Sequence, residues 1–170
     1  MYFDEDLVLD IRLNVLNKYV KKFIITEATF AHNGNKKKLN FKIENFKKFK
    51  DKIEYIVVDD LPRNIKSINT DDSDDIKSKK LILNGMARDI HQREMLNKGL
   101  SKVDENDIIL VSDLDEIPNL ENLKLSEINN KIIVFKQKMF YYKLNLLYKN
   151  CTWYGTKACK KKKLCITSVA

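Results

Sequence analysis

The chain has 170 residues, of which 44% are hydrophobic and 33% charged, with a formal net charge of +8. This length and balance indicate one soluble globular domain and exclude a collagen-like or disordered chain. Residues 131–170 contain ten lysines and no acid, whereas residues 1–130 contain 22 basic and 24 acidic residues. The excess charge therefore belongs to the C-terminal part. We expect no nucleic-acid partner, because no recognisable binding module accompanies those lysines.

The sequence predicts neither a membrane span nor export. No apolar run approaches the roughly 20 residues that a transmembrane helix needs. The acidic start MYFDEDLVLD is unlike the basic start of a signal peptide, so a cytoplasmic protein is expected. Cys151, Cys159 and Cys165 are odd in number, lack C-x-x-C spacing and have no histidine nearby. Free thiols are therefore expected rather than a zinc site.

Helical and strand-like apolar spacings alternate along the chain. The predicted elements are, in order, a helix over 4–19, a strand over 22–26 that ends at Glu27, a short helix over 43–51, a strand over 52–58, a polar loop over 63–79, a helix over 81–100 with Met86, Ile90 and Leu96 inward, a strand over 107–112, a weak helix over 120–129 and a strand from 131 onwards. Strands separated by helical connections imply a mainly parallel sheet. The predicted fold class is α/β.

The stretch 107–118, DIILVSDLDEIP, is the clearest candidate site. Its apolar run reads as a buried parallel strand, and Asp113, Asp115 and Glu116 follow at the strand end, where α/β sheets bind ligands. A divalent cation would relieve the repulsion between carboxylates this close. Asp113 and Asp115 are therefore candidate ligands of Mn²⁺ or Mg²⁺, which would bind a diphosphate in a chain without a glycine-rich phosphate loop. Alternatively, the acids only cap the following turn.

Further motifs occur in order along the chain. They are EDLVLDIRL (5–13), KFIITEATF (22–30), YIVVDDLP (55–62), RDIHQREMLNKGL (88–100), DIILVSDLDEIP (107–118), MFYYKLN (139–145) and WYGTK (153–157). With this spacing the chain resembles glycosyltransferase family 17, the family of the β-1,4-mannosyl-glycoprotein N-acetylglucosaminyltransferases. Several ordered motifs are far more specific than an Asp-x-Asp triplet alone.

The resemblance implies a GT-A-like fold and a metal-dependent, inverting glycosyltransferase. The implied donor is UDP-N-acetylglucosamine and the implied acceptor is a glycan hydroxyl. It also implies a further segment after Lys157, so the expected organisation is an incomplete catalytic domain over 1–157 and a basic, non-matching tail over 158–170. The alternatives are an inactive or binding-only remnant of such a domain, and a basic nucleic-acid-binding protein.

The resemblance also assigns roles to individual residues. Asp113 and Asp115 would hold the metal, with Asp113 also contacting the nucleotide, and Glu116 or Asp115 would serve as the catalytic carboxylate. Glu27 would contact the ribose or uracil, or else only cap its strand. Arg93 would reach the diphosphate, or else form a surface ion pair.

Four more polar residues receive structural interpretations. Arg12 and Arg88 match the family motifs, and a salt bridge that anchors a helix is the favoured role for each. His32 lies in a predicted turn and His91 on a predicted helix surface, so both are poor candidates for a catalytic base. The aromatic residues after the last strand either line the acceptor site or pack in the core; they are Phe140, Tyr141, Tyr142, Tyr148, Trp153 and Tyr154.

Overall fold

The computed structural model describes residues 1–124, 132–142 and 145–164. Its elements, in chain order, are α1 (Asp6–Leu16), β1 (Phe23–Ala28), a 3₁₀ segment (Ile43–Lys52), β2 (Ile53–Val58), α2 (Asp74–Glu94), a second 3₁₀ segment (Met95–Leu100), β3 (Ile108–Val111), β4 (Ile133–Phe140), β5 (Leu147–Lys160) and a 3₁₀ turn (Lys161–Lys163). They belong to two compact units, residues 1–6 with 21–101, and residues 7–20 with 102–170. None of the helices in the described ranges has the length and apolarity that crossing a membrane requires.

The first unit is built on two parallel strands. β1 and β2 pair in register from Phe23 opposite Ile53 to Ala28 opposite Val58, which confirms the predicted parallel arrangement for this part of the chain. Phe46 and Phe49 in the connecting 3₁₀ segment are buried. These two aromatic residues also gave the pattern from which a short helix was predicted, so the local apolar spacing identified the right segment.

Helix α2 differs from its prediction in both its start and its inward face. It begins at Asp74, inside the stretch predicted as a loop, with Ser73 at the N-cap position. Acids in the first turn are favoured by the helix dipole, which explains why a helix forms there. Met86 and Ile90, predicted to face inward, are 56% and 45% exposed, so that prediction was wrong.

The buried residues of α2 are Asn84, Gly85 and Ala87. Asn84 accepts a hydrogen bond from the Lys66 amide at 2.7 Å and donates one to the Lys66 carbonyl at 2.8 Å. A buried amide with both ends paired avoids the desolvation cost of an unpaired one. Small side chains and a paired amide therefore form the inward face of this helix, which apolar periodicity does not reveal.

The second unit contains an antiparallel sheet in the order β3-β5-β4. β5 pairs with β3 from Val111 opposite Lys157 to Ile108 opposite Lys160, and with β4 from Ile133 opposite Ala158. The prediction of a buried parallel strand at β3 was therefore wrong. The sheet pairing is antiparallel, and all four β3 residues are only half-buried. The fold is a mixed α/β arrangement with one parallel pair and one antiparallel sheet.

Helix α1 contributes Leu9, Leu13 and Leu16 to the buried residues, as its leucine spacing predicted. The weak helix predicted over 120–129 is not seen in residues 120–124, where Leu123 donates only a turn hydrogen bond to the Leu120 carbonyl. Residues 125–129 lie outside the described part of the chain.

The boundary expected at residue 157 lies within β5. The strand continues to Lys160, and Ala158 and Cys159 are buried. The Lys161 amide then donates to the Asp107 carbonyl at 2.9 Å, so the start of the basic segment is tied to the residues preceding β3. Cys151 and Cys159 are free thiols, as expected, and burial raises the pKa of Cys159.

Candidate functional site

The acidic loop, residues 112–117, follows β3 in the second unit. It is a tight turn in which the Glu116 amide donates to the Asp113 carbonyl at 3.2 Å and the Ile117 amide to the Asp115 carbonyl at 3.1 Å. Asp115 is exposed, whereas Asp113 and Glu116 are half-buried. Consecutive tight turns therefore place these three acidic residues on a short piece of backbone at the end of a strand.

The guanidinium of Arg12, from α1, holds the backbone of this loop. Its Nη1 lies 2.9 Å from the Asp113 carbonyl, 3.2 Å from the Leu114 carbonyl and 2.9 Å from the Glu116 carbonyl. Its Nη2 donates to the Ser112 hydroxyl. These contacts correct the expected role of Arg12, because the guanidinium binds the main chain of the acidic loop as a hydrogen-bond clamp.

The electrostatics of Arg12 reflect this position. Burial lowers the pKa of its guanidinium, and the nearby carboxylates of Glu116, Asp115 and Asp113 oppose that effect. An arginine remains cationic even with such a shift, because its ordinary pKa lies far above neutrality. The clamp therefore also places a fixed positive charge beside three acids, which reduces the cost of holding them together.

Glu116 links the acidic loop to β5. One carboxylate oxygen accepts the Asp113 amide at 3.0 Å, and the other accepts the Trp153 indole nitrogen at 2.7 Å. The Glu116 carbonyl accepts the hydroxyl of the fully buried Thr156 at 3.1 Å. Sequence reasoning missed the contact with Trp153, because nothing local in the sequence pairs residues 116 and 153.

The acidic loop suits a cation that is only partly bound by protein. In the described ranges, no three His, Cys, Asp or Glu side chains are grouped as ligands around one point, so a closed protein cage is not formed there. Mg²⁺ and similar ions are commonly held by one or two carboxylates, with substrate phosphates and water completing the shell. Asp113 and Asp115 have the chemistry for that kind of site.

Glu27, predicted to contact the nucleoside, is a fully buried anchor in the first unit. Its Oε1 accepts from the Lys37 ammonium and from the Asn40 amide, and its Oε2 from the Phe41 amide at 3.0 Å and the Tyr55 hydroxyl at 2.7 Å. Burial alone would raise the pKa of Glu27, but these four donors outweigh it and lower the pKa. The carboxylate therefore secures residues 37–41 against β1 and β2.

A pocket that is open to solvent lies where β1 and β2 end. Its lining includes Ala28, Val58, Asp60, Arg88 and His91. The C-terminal ends of parallel strands are a common place for ligands, so the pocket is a second candidate surface.

Polar pairs shape the walls of this pocket. His91 Nε2 lies 3.1 Å from Asp60 Oδ2, within ion-pair distance, and the His91 side chain is largely buried instead of lying on an open helix surface. Burial alone would raise the pKa of Asp60, but the neighbouring His91 imidazole outweighs it and lowers the pKa. Arg88 donates to the His32 carbonyl at 2.8 Å, which is a backbone contact. Arg93 is half-buried near the end of α2, and its contact with a diphosphate stays a prediction.

Comparisons with known proteins give one match. The family model described as glycosyltransferase family 17 matches residues 1–164. Neither the curated proteins nor the solved structures compared with the chain include a significant match. The matched region contains both units of the described structure, including the acidic loop, Arg12 and all of β5.

The Arg12 clamp predicts that lysine cannot replace this arginine. A lysine ammonium is a point donor on a flexible stem and cannot reproduce the two-nitrogen contact with the loop. Arg12→Lys should lower the free energy of unfolding in urea by about 2 kcal/mol. It should also accelerate amide hydrogen exchange at residues 113–117. The exposed Arg63→Lys serves as control, and equal exchange rates in the two variants would contradict the clamp.

Glu27 predicts a specific dependence of stability on pH. Because its pKa in the folded protein is lowered, its stabilisation is complete above the ordinary glutamate pKa of about 4.3 and is lost as pH falls through the lower folded value. Glu27→Gln should cost about 3 kcal/mol of unfolding free energy at neutral pH. It should also reduce the loss of stability that the wild type shows below a pH of about 4.3.

The control for this experiment is Glu54→Gln, since Glu54 pairs with Lys22 at a partly exposed position. Exposed pairs contribute little, so that variant should retain the acid dependence of the wild type. Urea titrations over a pH series measure both variants. An acid profile of Glu27→Gln that equals that of the wild type would show that the buried carboxylate is not responsible.

Proposed function

Because the chain belongs to glycosyltransferase family 17, we propose that it is a metal-dependent, inverting glycosyltransferase that moves N-acetylglucosamine from UDP-N-acetylglucosamine to a glycan hydroxyl. Family membership supports glycosyl transfer in general. The donor, the metal and the stereochemistry belong to this proposal. The observation that carries it is the acidic loop, whose main chain is clamped by Arg12.

Asp113 and Asp115 are the residues we assign to the cation and, through it, to the diphosphate. Carboxylate oxygens are hard ligands of the kind that Mn²⁺ and Mg²⁺ prefer. Asp115 is also exposed, so a substrate can reach it. The bound ion would supply charge neutralisation for the diphosphate leaving group. Arg12 contributes by fixing the carbonyls of the same turn, so that the two carboxylates need little reorganisation when substrate binds.

Glu116 is the carboxylate we assign to proton transfer, with Asp115 as the second candidate. Each Glu116 oxygen accepts one hydrogen bond, and a carboxylate oxygen can accept another. In the transfer, the acceptor hydroxyl oxygen bonds to the anomeric carbon from the face opposite the diphosphate. The bond to UDP breaks with its electron pair leaving on UDP, and the hydroxyl proton passes to the carboxylate.

Thermal unfolding with UDP and Mn²⁺ tests the binding half of this proposal. At a hundredfold excess over Kd, a ligand stabilises by about 2.7 kcal/mol, which raises Tm by roughly 5–10 °C in a protein of this size. The shift should vanish in EDTA and in Asp113→Ala and Asp115→Ala. The exposed Asp51→Asn, in the other unit, should keep it.

Two further results separate the competing functions. Release of UDP from UDP-N-acetylglucosamine distinguishes an active enzyme from a binding-only remnant, and it should also disappear in the two aspartate variants. No shift with any nucleotide–metal pair, together with salt-sensitive binding of RNA or DNA, would contradict the proposal and favour a nucleic-acid-binding protein.

A further inference from the structure

Trp153 presents an exposed indole whose orientation is fixed. The side chain is on β5 and is 43% exposed, yet its ring nitrogen donates to Glu116 Oε1 at 2.7 Å. A tryptophan that belongs to a core hides its ring as well as satisfying its nitrogen. Here the N–H is paired with the acidic loop while much of the ring stays accessible.

The hydrogen bond between Trp153 and Glu116 depends on space that a neighbouring glycine leaves free. Gly155, two residues along β5, has no side chain, and a Cβ placed there would lie 2.5 Å from Glu116 Oε1 and 2.6 Å from Gln137 Oε1. Gln137 pairs with Trp153 across the two strands and accepts the Thr156 amide at 2.8 Å. The glycine therefore gives the Glu116 carboxylate the space from which it reaches Trp153.

The same carboxylate connects the indole with the backbone of the acidic loop. Glu116 Oε2 accepts the Asp113 amide at 3.0 Å while Oε1 accepts the indole nitrogen. A single carboxylate, that of Glu116, therefore bridges the Trp153 indole and the backbone amide of Asp113. By contrast, Tyr154 is the next residue along β5, is 61% exposed, and points to the opposite face of the sheet.

We propose that Trp153 is the platform on which the acceptor sugar ring stacks, with Glu116 as the residue that positions it. This inference rests on the proposed function. A pyranose has an apolar face of C–H groups that suits an aromatic ring, and stacking beside Glu116 brings a ring hydroxyl to the carboxylate assigned to its proton. Trp153 would then determine which sugar hydroxyl reaches the site.

The test uses the fact that Trp153 is the single tryptophan of the chain. Tryptophan emission of the wild type should change on titration with methyl mannoside or methyl N-acetylglucosaminide in the absence of UDP and Mn²⁺. Saturation-transfer NMR on the same sugars then measures binding in variants. Affinity should fall roughly fivefold or more in Trp153→Ala, and by less in Trp153→Phe, which retains an aromatic face but loses the N–H that Glu116 holds.

Further variants distinguish a loss of the indole's orientation from a general disruption of the fold. Glu116→Gln keeps an oxygen that can accept the indole N–H, so it should retain the emission response that Glu116→Ala weakens. Tyr154→Ala, on the other face of β5, should bind the sugars as the wild type does.

Equal saturation transfer in wild type and Trp153→Ala would overturn the proposal. So would an emission response to UDP-N-acetylglucosamine but to neither methyl glycoside, because the stacked ring would then be that of the donor. Either outcome leaves the thermal shift with UDP and Mn²⁺ as an independent result, so failure of the platform and failure of the proposed function are distinguishable.

Discussion

One guanidinium determines the shape of the candidate site. Arg12 brings one nitrogen to three carbonyls of the acidic loop and the other to the Ser112 hydroxyl. A hydrogen bond from a charged donor contributes roughly 1.5–3 kcal/mol, which is a substantial fraction of the roughly 5–15 kcal/mol by which a typical domain is stable. It joins a residue near the start of the chain to a turn about a hundred positions later. The turn that carries the three acidic residues is therefore held by protein contacts alone.

A second constraint fixes the other side of the same loop. Glu116 uses its two oxygens on Asp113 and Trp153, and its carbonyl on the hydroxyl of Thr156. The Glu116 carboxylate is therefore a candidate base, and it also links the acidic loop to β5 through its hydrogen bond with Trp153. Burial of Thr156 and the absence of a side chain at Gly155 show that this region is closely packed around the glutamate. Such support is what a site needs if its geometry is to be set before substrate arrives.

Local sequence patterns were sufficient to predict those features that depend on residues close together in the chain. The leucine spacing of α1 is one example, and the position of the acidic loop after β3 is another. Of the pairings between distant strands, the sequence predicted the parallel one of β1 with β2 but not the antiparallel one of β3 with β5. An apolar run such as β3 does not encode whether its partner is parallel, and Glu27 looks the same in sequence whether exposed or buried. The inward face of α2 depends on Asn84 and its two bonds to Lys66, which apolar periodicity overlooks.

In the proposed function, the acidic loop holds a divalent cation together with a nucleotide. Paramagnetic broadening tests this most directly, by adding Mn²⁺ and UDP to isotope-labelled protein and following the backbone amide signals. The amides of residues 112–117 should broaden first and recover when EDTA is added. Sharp signals there, together with broadening at the other acidic stretch, residues 71–75, would contradict it.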